Sequence, residues 1–169
     1  MAPMNKDSLE ELIAEHAVQY KEHYYRLAYS YVRNADDALD IVQESIYKAI
    51  SSMDSLKNPN SIKTWFYRIV VNTSLDFLRK RKKTSPAEEE VLTRLDFGRT
   101  DRYEDFDLKK ALDQLPEKYR TVVILRFFED LKIEEIAEVL DVNTNTVKTR
   151  LYASFEKLRL TLNENSMEV

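Results

Sequence analysis

Residues 131–160 read LKIEEIAEVLDVNTNTVKTRLYASFEKLRL, and two short apolar stripes follow one another in this segment. Residues three and four apart share a face of a helix, so the first stripe predicts a short amphipathic helix. That stripe consists of Ile133, Ile136, Ala137 and Leu140. We expect the helix to end at Asp141, and Thr144 to cap a second helix. The second helix has its own buried stripe of Val147, Leu151, Phe155 and Leu158.

Two short helices joined by a three- or four-residue turn are typical of the helix-turn-helix of DNA-binding proteins. Ala137 stands where the two helices would cross closely, and Val147 where the second would pack back on the first. Many such turns carry Gly, which tolerates positive φ. Asp141 stands there instead, and Asp tolerates the left-handed region better than most residues. The alternative interpretation is an ordinary helical hairpin.

The exposed face of the second helix is rich in side chains that contact DNA in other proteins. Lys and Arg neutralise phosphates or pair with guanine, while Thr and Asn reach base edges. The candidates are Asn145, Thr146, Lys148, Thr149, Arg150, Tyr152 and Lys157, with Arg159 beyond them. A solvated basic face is the simpler explanation of the same pattern.

Composition favours an almost wholly helical protein. The 169 residues include one Gly, four Pro and no Cys. Glycine-dependent hairpins are therefore disfavoured, and disulfides, thiolate metal sites and a cysteine nucleophile are excluded. No apolar run approaches the roughly 20 residues of a membrane span, and the amino terminus lacks a signal-peptide pattern. We expect a soluble cytoplasmic protein without membrane insertion.

Charge is segregated along the chain, although the formal net charge is only −4. Residues 62–83 hold seven basic residues against Asp76 alone, a net charge of +6. Residues 84–107 hold three Arg against eight acids, a net charge of −5. This pattern predicts two small helical domains, residues 1–83 and 108–169, joined by a flexible acidic linker over 84–107.

The amino-terminal domain opens with a predicted helix over residues 7–33, beginning at a Ser8 cap, with Val18 in its buried stripe. His16 and His23 lie seven apart on this helix. Because a metal site needs further ligands and none is apparent, we expect these histidines to be exposed or capping, and we predict no metal and no cofactor.

A second amphipathic helix, DDALDIVQESIYKAISSM, follows Asn34 and Ala35. The carboxylates of Asp40 and Glu44 are neighbours on its polar face. As a pair they suggest a solvated surface, a docking surface for a basic partner, or general acid and base catalysis. No nucleophile or glycine cradle accompanies them, so we predict no catalytic residues.

Residues 54–61 contain Pro59 between two Asn and are predicted to form a loop. The next helix begins at a Ser61 cap, carries aromatic residues that fit a core, and ends in five consecutive basic residues. That basic run complements the helix dipole, and together with the loop it is also suited to binding an opened DNA strand by stacking and charge neutralisation. Beyond the linker, Phe127 and Phe128 are expected in the interior of the carboxy-terminal domain.

In this order, DALDIVQESIYKA, IKTWFYRIVVNTSLDFLRKRKK and LPEKYRTVVILRFFEDLKIEEIAEVLDVNTNTVKTRLYASFEKLR resemble the extracytoplasmic-function sigma factors of bacterial RNA polymerase, within the sigma-70 family. The resemblance covers about residues 20–162 and is nearest to stress-response members of Gram-positive bacteria. It implies a promoter-specificity subunit without enzymatic activity. Its implied partners are core RNA polymerase, through the beta-prime clamp and the beta flap, promoter DNA, and an anti-sigma factor that holds the protein near the membrane.

The resemblance also implies a role for each segment. Polymerase docking falls on Asp37, Asp40, Gln43, Glu44 and Lys48. Recognition of the minus-10 element falls on Lys57, Asn58, Asn60, Ser61, Lys63, Trp65, Arg68, Asn72, Arg79, Lys80, Arg81 and Lys82. The helix-turn-helix candidates above would read the minus-35 element. Ala153 departs from the family, whose members often carry Arg there, which puts one DNA contact in doubt.

Two other functions fit the residues without the resemblance. A free-standing helix-turn-helix transcriptional regulator would bind an operator by itself and sense a ligand or partner through its first domain. An enzyme would use the Asp40 and Glu44 pair, with His16 or His23. Strong DNA binding by the isolated protein favours the regulator, and bound stoichiometric metal favours the enzyme.

Overall fold

The fold comes from a computed structural model that describes residues 5–84 and 103–167, with side chains for 5–82 and 108–164. The described residues form helices, turns and short connections without any strand. The predicted all-α fold is therefore confirmed. The chain divides into two compact units, Met1–Asp96 and Phe97–Val169, called here the amino-terminal and carboxy-terminal units.

The described part of the amino-terminal unit, residues 5–84, forms four α-helices. They are α1 (Lys6–Gln19), α2 (Lys21–Val32), α3 (Ala35–Ser51) and α4 (Ile62–Thr84), with 3-10 turns at Met53–Ser55 and Pro59–Ser61 between α3 and α4. Asparagine side chains cap the amino termini of two of these helices. Asn5 Oδ1 accepts the Ser8 N–H at 2.7 Å, and Asn34 Oδ1 accepts the Asp37 N–H at 3.0 Å. Each cap satisfies a backbone donor that the first helical turn leaves unpaired.

The core of this unit lies where α4 packs against α2 and α3. Phe66, Tyr67, Val70 and Val71 of α4 are buried there. The ring of Tyr24 from α2 stacks on Phe66 at 4.5 Å between centroids and meets Tyr67 edge-on at 4.8 Å. Burial of each large apolar side chain stabilises the fold by roughly 1.5–3 kcal/mol, so this aromatic cluster holds the three helices together.

The predicted single helix over residues 7–33 is wrong, because the chain turns at Tyr20 and forms two helices. Tyr20 has ψ of 14° and neither Gly nor Pro stands nearby, so no local signal marks the break. The turn reorients α1, and Val18, which periodicity placed in the core, is 78% exposed. Tertiary packing has overridden the helical pattern here.

His16 is buried, contrary to the expectation that both histidines are exposed or capping. Its Nε2 lies 2.5 Å from the Tyr24 hydroxyl, and its ring packs against Tyr20 and Phe66. Burial, and secondarily the charge of Lys63, lowers the pKa of His16 to about 4. His16 is therefore a neutral core residue. The half-buried His23 accepts a hydrogen bond at Nδ1 from Arg26 at 3.0 Å.

The carboxy-terminal unit is built around its last helix. The helices described in it are α5 (Tyr103–Gln114), α6 (Glu117–Val123), α7 (Ile133–Leu140) and α8 (Thr144–Met167), and a π-helical turn at Ile124–Phe128 extends α6. Helices α5, α6 and α7 each pack against α8. Leu125, Leu131, Ile136 and Val147 are fully buried in the core of this unit.

Three phenylalanines of this unit that were expected in the core are exposed. Phe127 is 57% exposed and Phe128 46%, because the wider π-helical turn rotates them away from the interior. Phe155, predicted in the buried stripe of α8, is 45% exposed. Ser154 takes its place in the core, donating to the backbone carbonyls of Arg150 at 2.6 Å and Tyr119 at 3.2 Å.

The predicted boundaries, 1–83, 84–107 and 108–169, stay a prediction. Helix α4 ends at Thr84, and α5 begins at Tyr103, five residues before the predicted start at Leu108. Residues 85–102, which make up most of the expected acidic linker, lie outside the described residues. Among the described helices, no segment combines the length and the apolar character that a membrane span requires.

Candidate nucleic-acid interfaces

Helices α7 and α8 form a helix-turn-helix with the predicted three-residue turn, residues 141–143. Asp141 ends α7 with φ of 56° and ψ of 48°, the left-handed conformation predicted for that position. The predicted cap is wrong by one residue, because α8 begins at Thr144 and Asn143 therefore precedes it as the N-cap. Asn143 Oδ1 accepts both the N–H of Thr146 at 2.8 Å and its hydroxyl at 2.9 Å.

One face of α8 is fixed to the rest of the unit. Val147, Leu151, Ser154 and Leu158 are buried along it. The hydroxyl of Ser154 ties α8 to the backbone of α6 at Tyr119. Since the inner face is held in this way, the orientation of the outer face is set by the core of the unit.

The outer face of α8 carries most of the side chains predicted to read DNA. The exposed ones are Asn145, Lys148, Thr149, Tyr152 and Lys157, of which Tyr152 is 74% exposed. Thr146 and Arg150 are half-buried. The ammonium group of Lys157 lies 5.5 Å from the centroid of the Tyr119 ring, and that of Lys118 lies 5.1 Å from it. The helix therefore presents amide, hydroxyl, ammonium and phenol groups to solvent together.

The connection between α3 and α4 is more ordered than the predicted loop. Met53 and Leu56 are buried and anchor it to the core. Asn58 Oδ1 accepts the N–H of Asn60 at 3.0 Å, and the indole N–H of Trp65 donates to Ser55 Oγ at 2.9 Å. We call residues 53–61 the α3–α4 loop. Lys57, Asn58 and Asn60 are exposed on it.

The remaining residues predicted for the minus-10 element lie along α4. Arg68, Asn72, Arg79, Lys80 and Lys82 are exposed, whereas Ser61, Lys63, Trp65 and Arg81 are half-buried. Arg79 forms an ion pair with Asp76 one turn before it. The polar side of α4 is thus accessible over most of its length.

Arg81 and Asp37 form a pair that the sequence did not reveal. Arg81 Nη1 lies 3.7 Å from Asp37 Oδ2 and 3.4 Å from the carbonyl oxygen of Val32, and the Arg81 side chain is 17% exposed. The guanidinium therefore joins α4 to the α2–α3 junction. Burial raises the pKa of Asp37, Arg81 opposes that rise, and the acids Asp40 and Asp36 add to it. The predicted DNA contact of Arg81 and polymerase contact of Asp37 stay predictions.

The polar face of α3 presents the other residues predicted for docking. Asp40, Gln43 and Glu44 are exposed. Lys48 is half-buried and lies between Glu44 at 3.9 Å and Asp76 of α4 at 3.8 Å, and it donates to the Thr73 hydroxyl at 3.2 Å. Among the described residues, no group of three or more acidic or histidine side chains is arranged to hold a metal ion.

The structure exposes two apolar surfaces that the sequence did not indicate. On α3, Leu39 is 40% and Tyr47 72% exposed beside the acidic residues. In the carboxy-terminal unit, Phe127 and Phe155 meet edge-on at 5.5 Å between centroids while both remain exposed. We call Phe127, Phe128 and Phe155 the phenylalanine patch. Exposed aromatic clusters of this kind are typical of partner surfaces.

Comparison with known families assigns each unit. Residues 17–84 match Sigma-70 region 2, and residues 105–158 match Sigma-70, region 4. The chain is 52% identical over 162 residues to the RNA polymerase sigma factor SigV of Bacillus subtilis strain 168, covering 96% of this chain and 98% of that protein. It is 33% identical to the ECF RNA polymerase sigma factor SigW of the same strain, covering 86% of each.

Solved structures show the same fold. The sigma factor RpoE in complex with the anti-sigma factor NepR from Bartonella quintana matches with a TM-score of 0.75 at 24% identity, over 89% of this chain and 96% of that one. CnrH in complex with the cytosolic domain of CnrY matches with a TM-score of 0.67 at 21% identity, over 90% and 88%. From the two family matches and these relatives, the chain belongs to the extracytoplasmic-function group of the sigma-70 family, the sigma factors that direct promoter-specific initiation by RNA polymerase.

Proposed function

We propose that this sigma factor reads the minus-35 element with the outer face of α8 and the minus-10 element with the α3–α4 loop and the polar side of α4. In the same proposal, the polar face of α3 docks on core RNA polymerase. The observation that carries it is the division of α8 into a locked inner face and an outer face of exposed Asn145, Lys148, Thr149 and Tyr152.

Recognition of the minus-35 element uses the amino-terminal half of α8. In helix-turn-helix proteins the first residues of the second helix contact base edges in the major groove. Asn145 and Thr149 supply hydrogen-bonding groups for bases, and Lys148 supplies charge for phosphate or guanine. Thr146 and Arg150 are half-buried and support this surface from its border. Lys157, twelve residues along α8 from Asn145, is suited to the phosphate backbone.

Recognition of the minus-10 element requires an opened strand. Extruding a base costs a few kcal/mol, and stacking on an aromatic ring returns roughly 1–3 kcal/mol for each base. The exposed Lys57, Asn58 and Asn60 supply hydrogen bonds for a captured base. Arg68, Lys80 and Lys82 supply positive charge along α4 for the strand backbone. A sigma factor with so few side chains to bind an extruded base opens only well-matched promoters. We therefore expect stringent promoter selectivity.

Docking on the polymerase uses two different surfaces. Asp40, Gln43 and Glu44 are suited to a basic element such as the beta-prime clamp, and the exposed Leu39 and Tyr47 add apolar contact beside them. The phenylalanine patch is suited to an apolar element such as the beta flap. Holding both units on one enzyme raises the effective concentration of each DNA reader, so that two weak contacts become one stable complex.

Control by an anti-sigma factor is the last part of the proposal. One structural relative named above is the sigma factor RpoE in complex with the anti-sigma factor NepR. An anti-sigma factor that covers the docking surfaces would keep this protein from the polymerase in the cytoplasm until a signal releases it. Co-purification from the native host tests this idea, and recovery of polymerase subunits alone from unstressed cells would contradict it.

Transcription in vitro tests the main proposal. Core RNA polymerase supplied with the purified protein is expected to initiate at specific sites on native DNA, which start-site mapping then identifies. Base substitutions in the two upstream elements should reduce initiation independently. If the protein confers initiation at no native start site, the proposed function is wrong.

A further inference from the structure

The α3–α4 loop is tied to both neighbouring helices by a continuous series of hydrogen bonds. Ser52 Oγ donates to the carbonyl oxygen of Lys48 at 2.6 Å, at the end of α3. Ser55 Oγ donates in turn to the carbonyl oxygen of Ser52 at 2.7 Å. The indole N–H of Trp65 then donates to Ser55 Oγ at 2.9 Å. The series runs from α3, through the first turn of the loop, to a side chain of α4.

The hydroxyl of Ser55 links the two helices, because it donates to the carbonyl of Ser52 at the end of α3 and accepts from Trp65 of α4. Met53 and Leu56 on either side of it are buried, so this half of the loop is fixed to the core. The exposed Lys57, Asn58 and Asn60 follow directly. Their backbone positions therefore depend on how firmly the first half of the loop is held.

Trp65 is oriented by the same hydrogen bond. Its ring is half-buried and packs edge-on against Phe66 at 6.3 Å between centroids. With the indole N–H bound to Ser55, the rotation of the ring is restricted, and the ring in turn holds the loop. Side chains held in this way lose less conformational freedom when a ligand binds.

We propose that Ser55 is a positioning residue for minus-10 recognition, acting through Trp65 to hold the α3–α4 loop in the shape that captures a base. This inference rests on the proposed function of the loop. Ser55 itself does not touch DNA in this scheme. Its contribution is preorganisation, which favours a base that fits the loop over one that does not.

The hydrogen bond has a direct optical readout, because Trp65 is the single tryptophan of the chain. Ser55→Ala in the full-length protein is expected to shift tryptophan emission to longer wavelength, since water replaces the hydroxyl at the indole N–H. Ser55→Thr keeps a hydroxyl and should retain the original emission. Ser51→Ala removes a hydroxyl from a nearby exposed position and serves as the matched control.

The functional readout is transcription by core polymerase carrying each variant, on a mapped promoter and on versions with single base changes in either element. Minus-10 discrimination is the ratio of transcription from the mapped promoter to transcription from a version with one base changed in the minus-10 element. We expect Ser55→Ala to lower this ratio about three- to tenfold, the range expected for one neutral hydrogen bond. The double variant Ser55→Ala with Trp65→Phe should lower it no further than Trp65→Phe alone, because Trp65→Phe already removes the hydrogen bond to Ser55. Minus-35 discrimination should stay unchanged, and Ser55→Thr should restore the minus-10 value.

The possible outcomes separate this inference from the proposed function. Unchanged minus-10 discrimination or unchanged emission in Ser55→Ala overturns the positioning role and leaves the proposed function standing. An equal loss at both promoter elements, or a loss of helical circular dichroism, also overturns it, since the defect would then be general. Wild-type holoenzyme that fails to initiate or to discriminate overturns the proposed function and the positioning role together.

Discussion

Three described residues other than glycine adopt a left-handed backbone: Arg33, Asp130 and Asp141, with φ of 52°, 56° and 56°. Arg33 ends α2 and Asp141 ends α7. This conformation costs an L-residue roughly 1–2 kcal/mol, and Asp and Asn tolerate it better than bulky residues do. The turn of the helix-turn-helix therefore depends on the small side chain at position 141.

Substitution at Asp141 tests this dependence. Asp141→Val is expected to destabilise the carboxy-terminal unit by about 1–2 kcal/mol, because a β-branched side chain strongly disfavours positive φ. Asp141→Asn, which also tolerates the left-handed region, should change stability by less than about 0.5 kcal/mol. Urea unfolding followed by circular dichroism measures both. Equal stability of the two variants would contradict this account of the turn.

The buried His16 makes the amino-terminal unit sensitive to acid. Its folded pKa of about 4 lies below the unfolded value of 6.5. Between these values only the unfolded chain binds the proton, so the stability from His16 is complete above pH 6.5 and is lost as pH falls towards 4. The loss by pH 4.5 is on the order of 2 kcal/mol.

A non-titrating variant isolates this contribution. His16→Gln keeps a polar group beside the Tyr24 hydroxyl but takes up no proton in this range. Urea unfolding followed by Trp65 emission, at pH 7 and pH 4.5, should show a smaller loss of stability for the variant than for the wild type. The same loss in both proteins would mean that His16 is not the group responsible.

At the scale of elements, α3 and α4 are joined by charge as well as by their core. Asp76 is the one acid in residues 62–83, and it forms ion pairs with Arg79 and Lys48. Lys48 also forms an ion pair with Glu44. These groups are partly exposed, so each pair stabilises the fold by less than about 1 kcal/mol. Their effect is to fix the side chains where the polar face of α3 meets the basic end of α4.

Reversing the charge on α3 tests the docking surface. Asp40→Lys with Glu44→Lys should weaken binding to core polymerase about tenfold or more, because like charges would then face a basic partner. Glu10→Lys with Glu11→Lys on the exposed side of α1 makes the same charge change and should leave binding nearly unaltered. Equal weakening by both pairs would point to net charge rather than to this face of α3.

The salt dependence of promoter binding tests whether the outer face of α8 contacts DNA phosphates. Each phosphate contact adds roughly one unit to the slope of binding affinity against salt concentration on logarithmic scales. Lys148→Ala should therefore reduce that slope by about one for holoenzyme binding to a minus-35 promoter. Lys110→Ala, an exposed lysine of α5, is the control. An unchanged slope in Lys148→Ala would mean that this side chain does not contact phosphate.

The helices whose burial pattern is local were predictable from sequence. The α7–α8 pair was found because each stripe lies within one helix and the turn carries Asp141 and Asn143. The break at Tyr20 and the π-helical turn at Ile124–Phe128 were not found, because neither has a Gly or Pro signal. The exposure of Phe127 and Phe155 escaped for another reason: periodicity identifies an apolar face but not what covers it.

For the whole molecule, the sum of charges conceals their distribution. The net charge is −4, yet residues 62–83 carry +6. A sigma factor needs the polymerase to hold its DNA readers, whereas a free-standing regulator binds its operator alone. The isolated full-length protein is therefore expected to form no stable gel-shift complex with duplex promoter DNA at moderate salt, and to form one when core polymerase is added. Tight binding by the protein alone would contradict this expectation.

Roles at the scale of the whole molecule came from the order of three motifs, not from any single residue. The sequence placed the candidate surfaces on α3, α4 and α8. It could not show that Arg81 pairs with Asp37, 44 positions earlier in the chain, or that Trp65 binds Ser55. Those contacts depend on how helices pack, which local periodicity does not encode.

The hydroxyl of Ser154 lies on the side of α8 that faces away from solvent, yet it links that helix to the backbone of α6. A substitution at Ser154 is therefore expected to change the angle at which α8 packs on α6 without changing the side chains on the outer face of α8. Under the proposed function, a substitution at this buried position would alter promoter preference while Asn145, Lys148 and Thr149 stay unchanged. When two such sigma factors share the surface residues of this helix but recognise different promoters, a substitution at the buried serine would account for the difference.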